Sequence, residues 1–134
     1  MSDENKDIVR QALATLLETG STRALAPLLS EDFTHHRPGG TTSTKAEWLA
    51  ALEAAIAPTT GMEVGIDHLL ADGDHVVVHS RRGLPDGGPQ IVVTDIWRIE
   101  RGLIAEGWEI IEPVARAAAN LSWWAPDAGT PAAS

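Results

Sequence analysis

The sequence contains no cysteine and no tyrosine. The first absence rules out a disulfide framework and thiolate chemistry. The second leaves no phenol for an active site to use as a hydrogen-bond donor. Basic residues are scarce, 10 against 19 acidic ones, and the formal net charge is −9. That is the wrong sign for a surface that must neutralise nucleic-acid phosphates or anionic membrane lipids. Long hydrophobic runs are also missing, since no apolar stretch approaches the roughly 18 residues of a membrane span. The opening MSDENKD is acidic and polar where a secretory signal would be basic and then apolar. These absences lead to the expectation of a cytoplasmic protein whose partner is a small molecule or another protein.

What is present is a chain of 134 residues, 43% hydrophobic, enough for one domain with a real core and too little for two. The pattern expects that domain over residues 1–114, followed by a tail from 115 to 134 containing Ala, Pro and Trp. Ile8, Ala12, Leu13, Leu16 and Leu17 recur at helical spacing, with Ser2 or Asp3 as cap and Gly20 as stop. Ser21 opens a shorter segment in which Pro27 sits in a short helix or divides two turns, and Phe33 ends it as an apolar anchor. Thr44 and Glu47 have the spacing of a capping box, launching a third helix with Trp48, Leu49, Leu52 and Ile56 on one side and Pro58 at its end.

After Gly61 the hydrophobic period changes to two. Met62, Val64, Ile66, His68 and Leu70 alternate with polar or small residues, and Ala71-Asp72-Gly73-Asp74 turns the chain into the strand HVVVHSRR. The loop GLPDGGP leads to VVTDIWRIERGLIAEGWEII, a hairpin turning at Arg101-Gly102. Pairing outward from Glu100 with Leu103 sets Ile99 against Ile104, Trp97 against Glu106 and Asp95 against Trp108, all on one face. Arg98, Ala105 and Glu109 fall on the other face, with Thr94 and Ile96. A face mixing two tryptophans with two carboxylates suits a half-wet concave pocket better than either core or open surface. Helices first and strands second predict an α+β fold with the helices on one side of the sheet.

Phe33-Thr34-His35-His36-Arg37-Pro38, the VVVH run ending at His79, Asp95-Ile96-Trp97-Arg98, Gly102 and the EGWE of residues 106–109 together resemble the SnoaL-like polyketide cyclase branch of the nuclear-transport-factor-2-like superfamily. The resemblance spans roughly residues 5 to 114, and the last hairpin is its most specific part. It implies a cone-shaped α+β barrel, three N-terminal helices packed on a curved, mostly antiparallel sheet around a hydrophobic pocket, and a homodimer through the outer sheet face. It further implies that Asp95 transfers the proton, with His36 and His79 matching histidines of the family and Trp97 and Trp108 its pocket-wall aromatics; Glu106, Trp48 and Phe33 are expected to complete the substrate pocket, and no cofactor and no metal are expected. His35 is expected to face solvent. One position departs from the family's pattern: many relatives carry histidine just before the final tryptophan, where this chain has Gly107.

Between Trp97 and Trp108 a carboxylate would lose water, and its pKa would rise toward the range of a general base. Asp95 could then remove a proton next to a carbonyl group. The competing assignment makes it a structural acid paired with Arg98 or Arg81. The absent tyrosine argues against isomerases and dehydratases of this fold that position substrate or water with a phenol. Val93 stands where epoxide hydrolases of this fold carry the arginine of an acid–arginine–acid set. His75 and His79, about 13 Å apart along a strand, cannot chelate one ion together. His36, His79 and Asp95 could still converge. Two functions remain open: a cofactor-free cyclase or isomerase acting on a small hydrophobic carbonyl compound, or a non-catalytic small-molecule binding or dimerisation module. Trp123 and Trp124 are expected to pack the tail onto the domain or onto a second subunit, not to bind substrate.

Overall fold

The computed structural model of the chain describes residues 2–56, 62–83 and 90–113. Trp123, Trp124, the tail from 114 onward, Pro58 and most of the GLPDGGP loop lie outside the described residues. Helix α1 (Ser2–Thr19) ends where Gly20 takes a φ of 60° and returns its N–H to the Leu16 carbonyl. Ser21 caps α2 (Thr22–Leu25), accepting from the Arg23 N–H, and Pro27 sits in the 3-10 turn that follows. The capping box forms as the sequence requires: Thr44 N–H donates to Glu47 Oε1 at 2.9 Å, and Glu47 N–H to Thr44 Oγ1 at 3.2 Å. It starts α3 (Lys45–Ile56).

Six strands form one curved sheet: β1 (Leu29–His36), β2 (Thr42–Thr44), β3 (Glu63–Asp72), β4 (His75–Gly83), β5 (Ile91–Glu100) and β6 (Leu103–Pro113), in the order β2-β1-β6-β5-β4-β3. All neighbours are antiparallel except β1 and β6. This is the α+β cone fold that the pattern and the resemblance predict. Strands β1 and β2 have no counterpart in the sequence pattern, which puts Phe33 at the end of a helical segment.

One face of the sheet is covered by the helices. Val76, Val78, Ile99 and Ile104 meet Val9, Ala12, Leu25 and Phe33 there, with Trp48 and Trp97 packed against them. The opposite, outer face carries Leu70 and Ile110, which are 60% and 58% exposed.

The 101–102 turn sits at the expected place, with both residues at positive φ, and Glu100↔Leu103 and Ile99↔Ile104 pair as expected. Beyond them the register shifts by one residue at a bulge, giving Arg98↔Glu106, Trp97↔Gly107, Ile96↔Trp108 and Asp95↔Glu109. A one-residue shift moves every later side chain of that strand to the opposite face. Glu106 and Trp108 are therefore on the outer face and Glu109 is on the inner one, the reverse of the expectation. Ala105, expected outward, is buried at the bulge.

Candidate functional site

Asp95 lies near the middle of β5 on the helix-covered face and is 4% exposed. Val78 stands opposite it on β4 and Glu109 on β6. Its partner is Arg82, whose Nη2 donates to Asp95 Oδ2 at 2.9 Å. Neither arginine suggested by the sequence fills this role. Arg98 points outward, and Arg81 grips both oxygens of Asp67 on the outer face. Sequence reasoning missed Arg82, although alternation along β4 would have placed it on the inner face with Val76, Val78 and Ser80.

Burial pushes the Asp95 carboxyl up to about 7, with the Arg82 charge pulling it down and Glu109 adding to the rise. Burial also raises Glu109, against the opposing charges of Arg82 and Arg37. Two acids thus flank one half-buried guanidinium. Valine at position 93 argues against such a set on β5 alone. Here the arginine comes from the neighbouring strand instead.

His35 is the histidine of the inner face, not His36. It is 2% exposed, and its ring lies 5.0 Å from Trp48 and 6.0 Å from Trp97, with Phe33 at 6.3 Å. Burial, then the positive Arg37 and His36, lower its pKa to about 4, so the imidazole is neutral at physiological pH. Its Nδ1 and the Nε of Arg82 are buried polar atoms without a hydrogen-bond partner among the described residues. Such atoms are rare in folded proteins and mark a place where a polar ligand atom can be received.

Gly107 explains itself in this setting. A Cβ there would fall 2.3 Å from Cζ3 and 2.5 Å from Cε3 of Trp97, and 3.2 Å from Cδ2 of His35. The Trp97 ring lies across the glycine backbone and fills the space where a side chain at 107 would project. The imidazole of His35, from the adjacent strand β1, stands beside the same spot. The departure from the family's pattern at 107 is thus matched by the placement of Trp97 and His35.

The remaining sequence candidates divide cleanly. Phe33, Trp48 and Trp97 are on the inner side with Asp95. His36, His79, Glu106 and Trp108 are on the outer side and do not converge with Asp95. His36 Nε2 and Glu106 Oε2 are 2.6 Å apart, Arg98 Nε donates to Glu106 Oε1 at 3.0 Å, and the His36 ring stacks on Trp108 at 5.0 Å and 4°. Burial would raise Glu106, but its hydrogen bonds with His36 and Arg98 outweigh it and leave the carboxyl below its usual value. Among the described residues no three metal-ligating side chains converge, so the His36, His79 and Asp95 set considered from sequence does not form.

The profile of the SnoaL-like domain family matches residues 9–107. No curated protein matches the sequence. Among solved structures, wild-type IdmH of Streptomyces antibioticus, provisionally a polyketide cyclase, shares 20% identity over 81% of this chain and 91% of its own, with a TM-score of 0.69. A protein of Kribbella flavida provisionally assigned as a ketosteroid isomerase shares 21% identity over 84% of this chain and 81% of its own, TM-score 0.67. AclR of Streptomyces galilaeus, provisionally a hydroxylase, shares 15% over 84% and 91%, TM-score 0.72. At these identities the likeness is one of fold, and three different assigned activities sit on it.

Proposed function

The chain belongs to the SnoaL-like domain family, and from that premise we propose that it is a cofactor-independent proton-transfer enzyme, a cyclase or isomerase acting on a small hydrophobic carbonyl compound, with Asp95 as general acid and base. The observation that carries the proposal is the buried Asp95 paired with the half-buried Arg82 at 2.9 Å, where burial pushes the carboxyl up to about 7. A base is most effective when its pKa lies near the working pH, because it is then both available in the ionised form and strong enough to accept a proton. In the proposed step Asp95 removes the proton from carbon next to the carbonyl. The electron pair of that C–H bond becomes the C=C bond of an enolate as the carbonyl π pair moves onto oxygen, and the oxyanion is held by the fixed positive charge of Arg82. Asp95 then returns the proton to another atom. Neutral His35, in the tautomer with its proton on Nδ1, and the free Nε–H of Arg82 are the polar groups offered to the carbonyl oxygen, while Phe33, Trp48 and Trp97 supply apolar walls.

The test is Asp95→Asn on one accepted carbonyl substrate. Turnover should fall by about a hundredfold or more while ligand affinity changes little; unchanged turnover removes Asp95 from the mechanism. The binding-module reading draws on the Trp97 ring occupying the space over Gly107. It prevails if apolar ligands bind tightly and no carbonyl compound is turned over.

We also propose that two copies pair through the outer sheet face. In support, Leu70 and Ile110 are widely exposed, and an open groove of about 520 Å³ is lined by His36, Arg37, His75, Ile96, Trp108 and Ile110. Exposed apolar surface of this kind marks interfaces, and a two-fold contact is the commonest way to cover it.

A further inference from the structure

His79 does not serve Asp95, because it stands on the outer face of β4. The neighbouring strand β3 brings His68 opposite it, past an irregularity between Ile66 and His68 that resets the pairing. Nδ1 of His68 lies 3.2 Å from Nδ1 of His79. The ring centroids are 5.3 Å apart with planes inclined at 41°, so the rings meet through their nitrogen edges instead of stacking.

We propose that His68 and His79 form a binding site for a divalent transition-metal ion of the class that prefers imidazole, Zn²⁺, Ni²⁺ or Cu²⁺, with each Nδ1 supplying one ligand. Two nitrogens bound at about 2.05 Å to a tetrahedral ion stand about 3.3 Å apart. The observed separation already matches this, so binding requires the two rings to turn toward one ion but not to move closer or further apart. The antiparallel β3–β4 ladder holds both backbones in place, which removes most of the ordering cost that a chelate on a flexible segment would meet. In the single chain access is open, since His68 is exposed and His79 only half-buried. Asp67, fixed by the bidentate grip of Arg81, is sequence-adjacent to His68.

No third His, Cys, Asp or Glu joins the pair among the described residues. The site is therefore a two-ligand chelate whose other positions take water. Imidazole donors select the later first-row ions and discriminate against Mg²⁺ and Ca²⁺, which demand oxygen. A plain N–H···N hydrogen bond between two neutral rings also fits 3.2 Å, and the experiment separates the two.

Untagged protein is titrated by calorimetry with Ni²⁺, Zn²⁺, Cu²⁺ and Mg²⁺. Saturable binding is expected for the first three, tighter for Cu²⁺ than for Ni²⁺, and none for Mg²⁺. His68→Ala and His79→Ala should each weaken it by about tenfold or more, at least the scale on which outer partners alone alter metal affinity, and the double variant should abolish it. His75→Ala, on the same face but engaged by Asp74 at 2.8 Å, should leave it unchanged. In nitrogen-15 spectra of the imidazoles, Zn²⁺ should move the Nδ1 signals of both His68 and His79. Binding that survives in the double variant, a shift of only one ring, Mg²⁺ binding as tight as Ni²⁺, or no saturable binding at millimolar Zn²⁺, Ni²⁺ and Cu²⁺ would each overturn the assignment.

Discussion

Replacing Asp95 by asparagine should remove part of the protein's pH response. The carboxyl titrates at about 7 in the folded chain against an ordinary value of 3.8. Between those values the folded state holds a proton that the unfolded state has released, so stability falls as pH rises through this window. The full difference, about three pH units at 1.4 kcal/mol each, is about 4 kcal/mol, present below 4 and lost above 7. Between about pH 5 and about pH 8.5 the loss from this group is about 2.5–3 kcal/mol. The amide of the Asp95→Asn variant cannot ionise and lacks that loss. Its absolute stability also reflects Arg82 left without its anion, but Arg82 stays charged throughout, so that cost is the same at both pH values. Glu109, also raised by burial, is present in both proteins and cancels to first order. The assay is urea unfolding of both proteins at the two pH values. The stability of Asp95→Asn relative to wild type should improve by about 2.5–3 kcal/mol on going to the higher pH. Parallel pH profiles would show that the Asp95 carboxyl is not raised, and the case for it as a base near neutrality would go with it.

Gly107→Ala should cost about 2–3 kcal/mol, because its Cβ would collide with the Trp97 ring. In a double-mutant cycle the same substitution should cost at least about 1 kcal/mol less in a Trp97→Leu background, and additive effects would exclude the clash as the cause. Light scattering at micromolar concentration should give a dimer mass for wild type and a monomer for Ile110→Lys, which sets a charge on the exposed outer face; a monomeric wild type removes the proposed interface.

The helices, the capping box, both hairpin turns and the inner-face placement of Asp95 and Trp97 are legible in the sequence. Each of these depends on local chemistry: a glycine at positive φ, a Thr–Glu spacing, or a period of two. The side chains of β6 are not legible, because the bulge at Ala105 has no residue signature. Alanine there is as acceptable to a regular ladder as to a bulge, and one uncounted residue turns Glu106, Trp108 and Glu109 over. The choice between His35 and His36 fails for a related reason. Adjacent residues on a strand face opposite ways, and the phase of β1 is set by its pairing with β6, far along the chain. Arg82 escapes notice because its link to Asp95 crosses strands diagonally and follows from side-chain reach, not from sequence spacing.

The parallel ladder between β1 and β6 has a bearing on how the protein is made. Partners such as His36 and Glu106 are separated by 70 residues, so β1 must wait at the ribosome with only the short β2 beside it until β6 has emerged. The acid–arginine pair needs only two strands that follow each other in the chain. The seat of His35 against Gly107 can form only once β6 has followed β4 and β5 out. Non-local pairing of this kind slows folding and leaves apolar strands uncovered meanwhile. A nascent chain halted before Leu103 would hold Asp95 and Arg82 without Glu109, and would leave Phe33 and Ile99 without the Ile104 they pack beside.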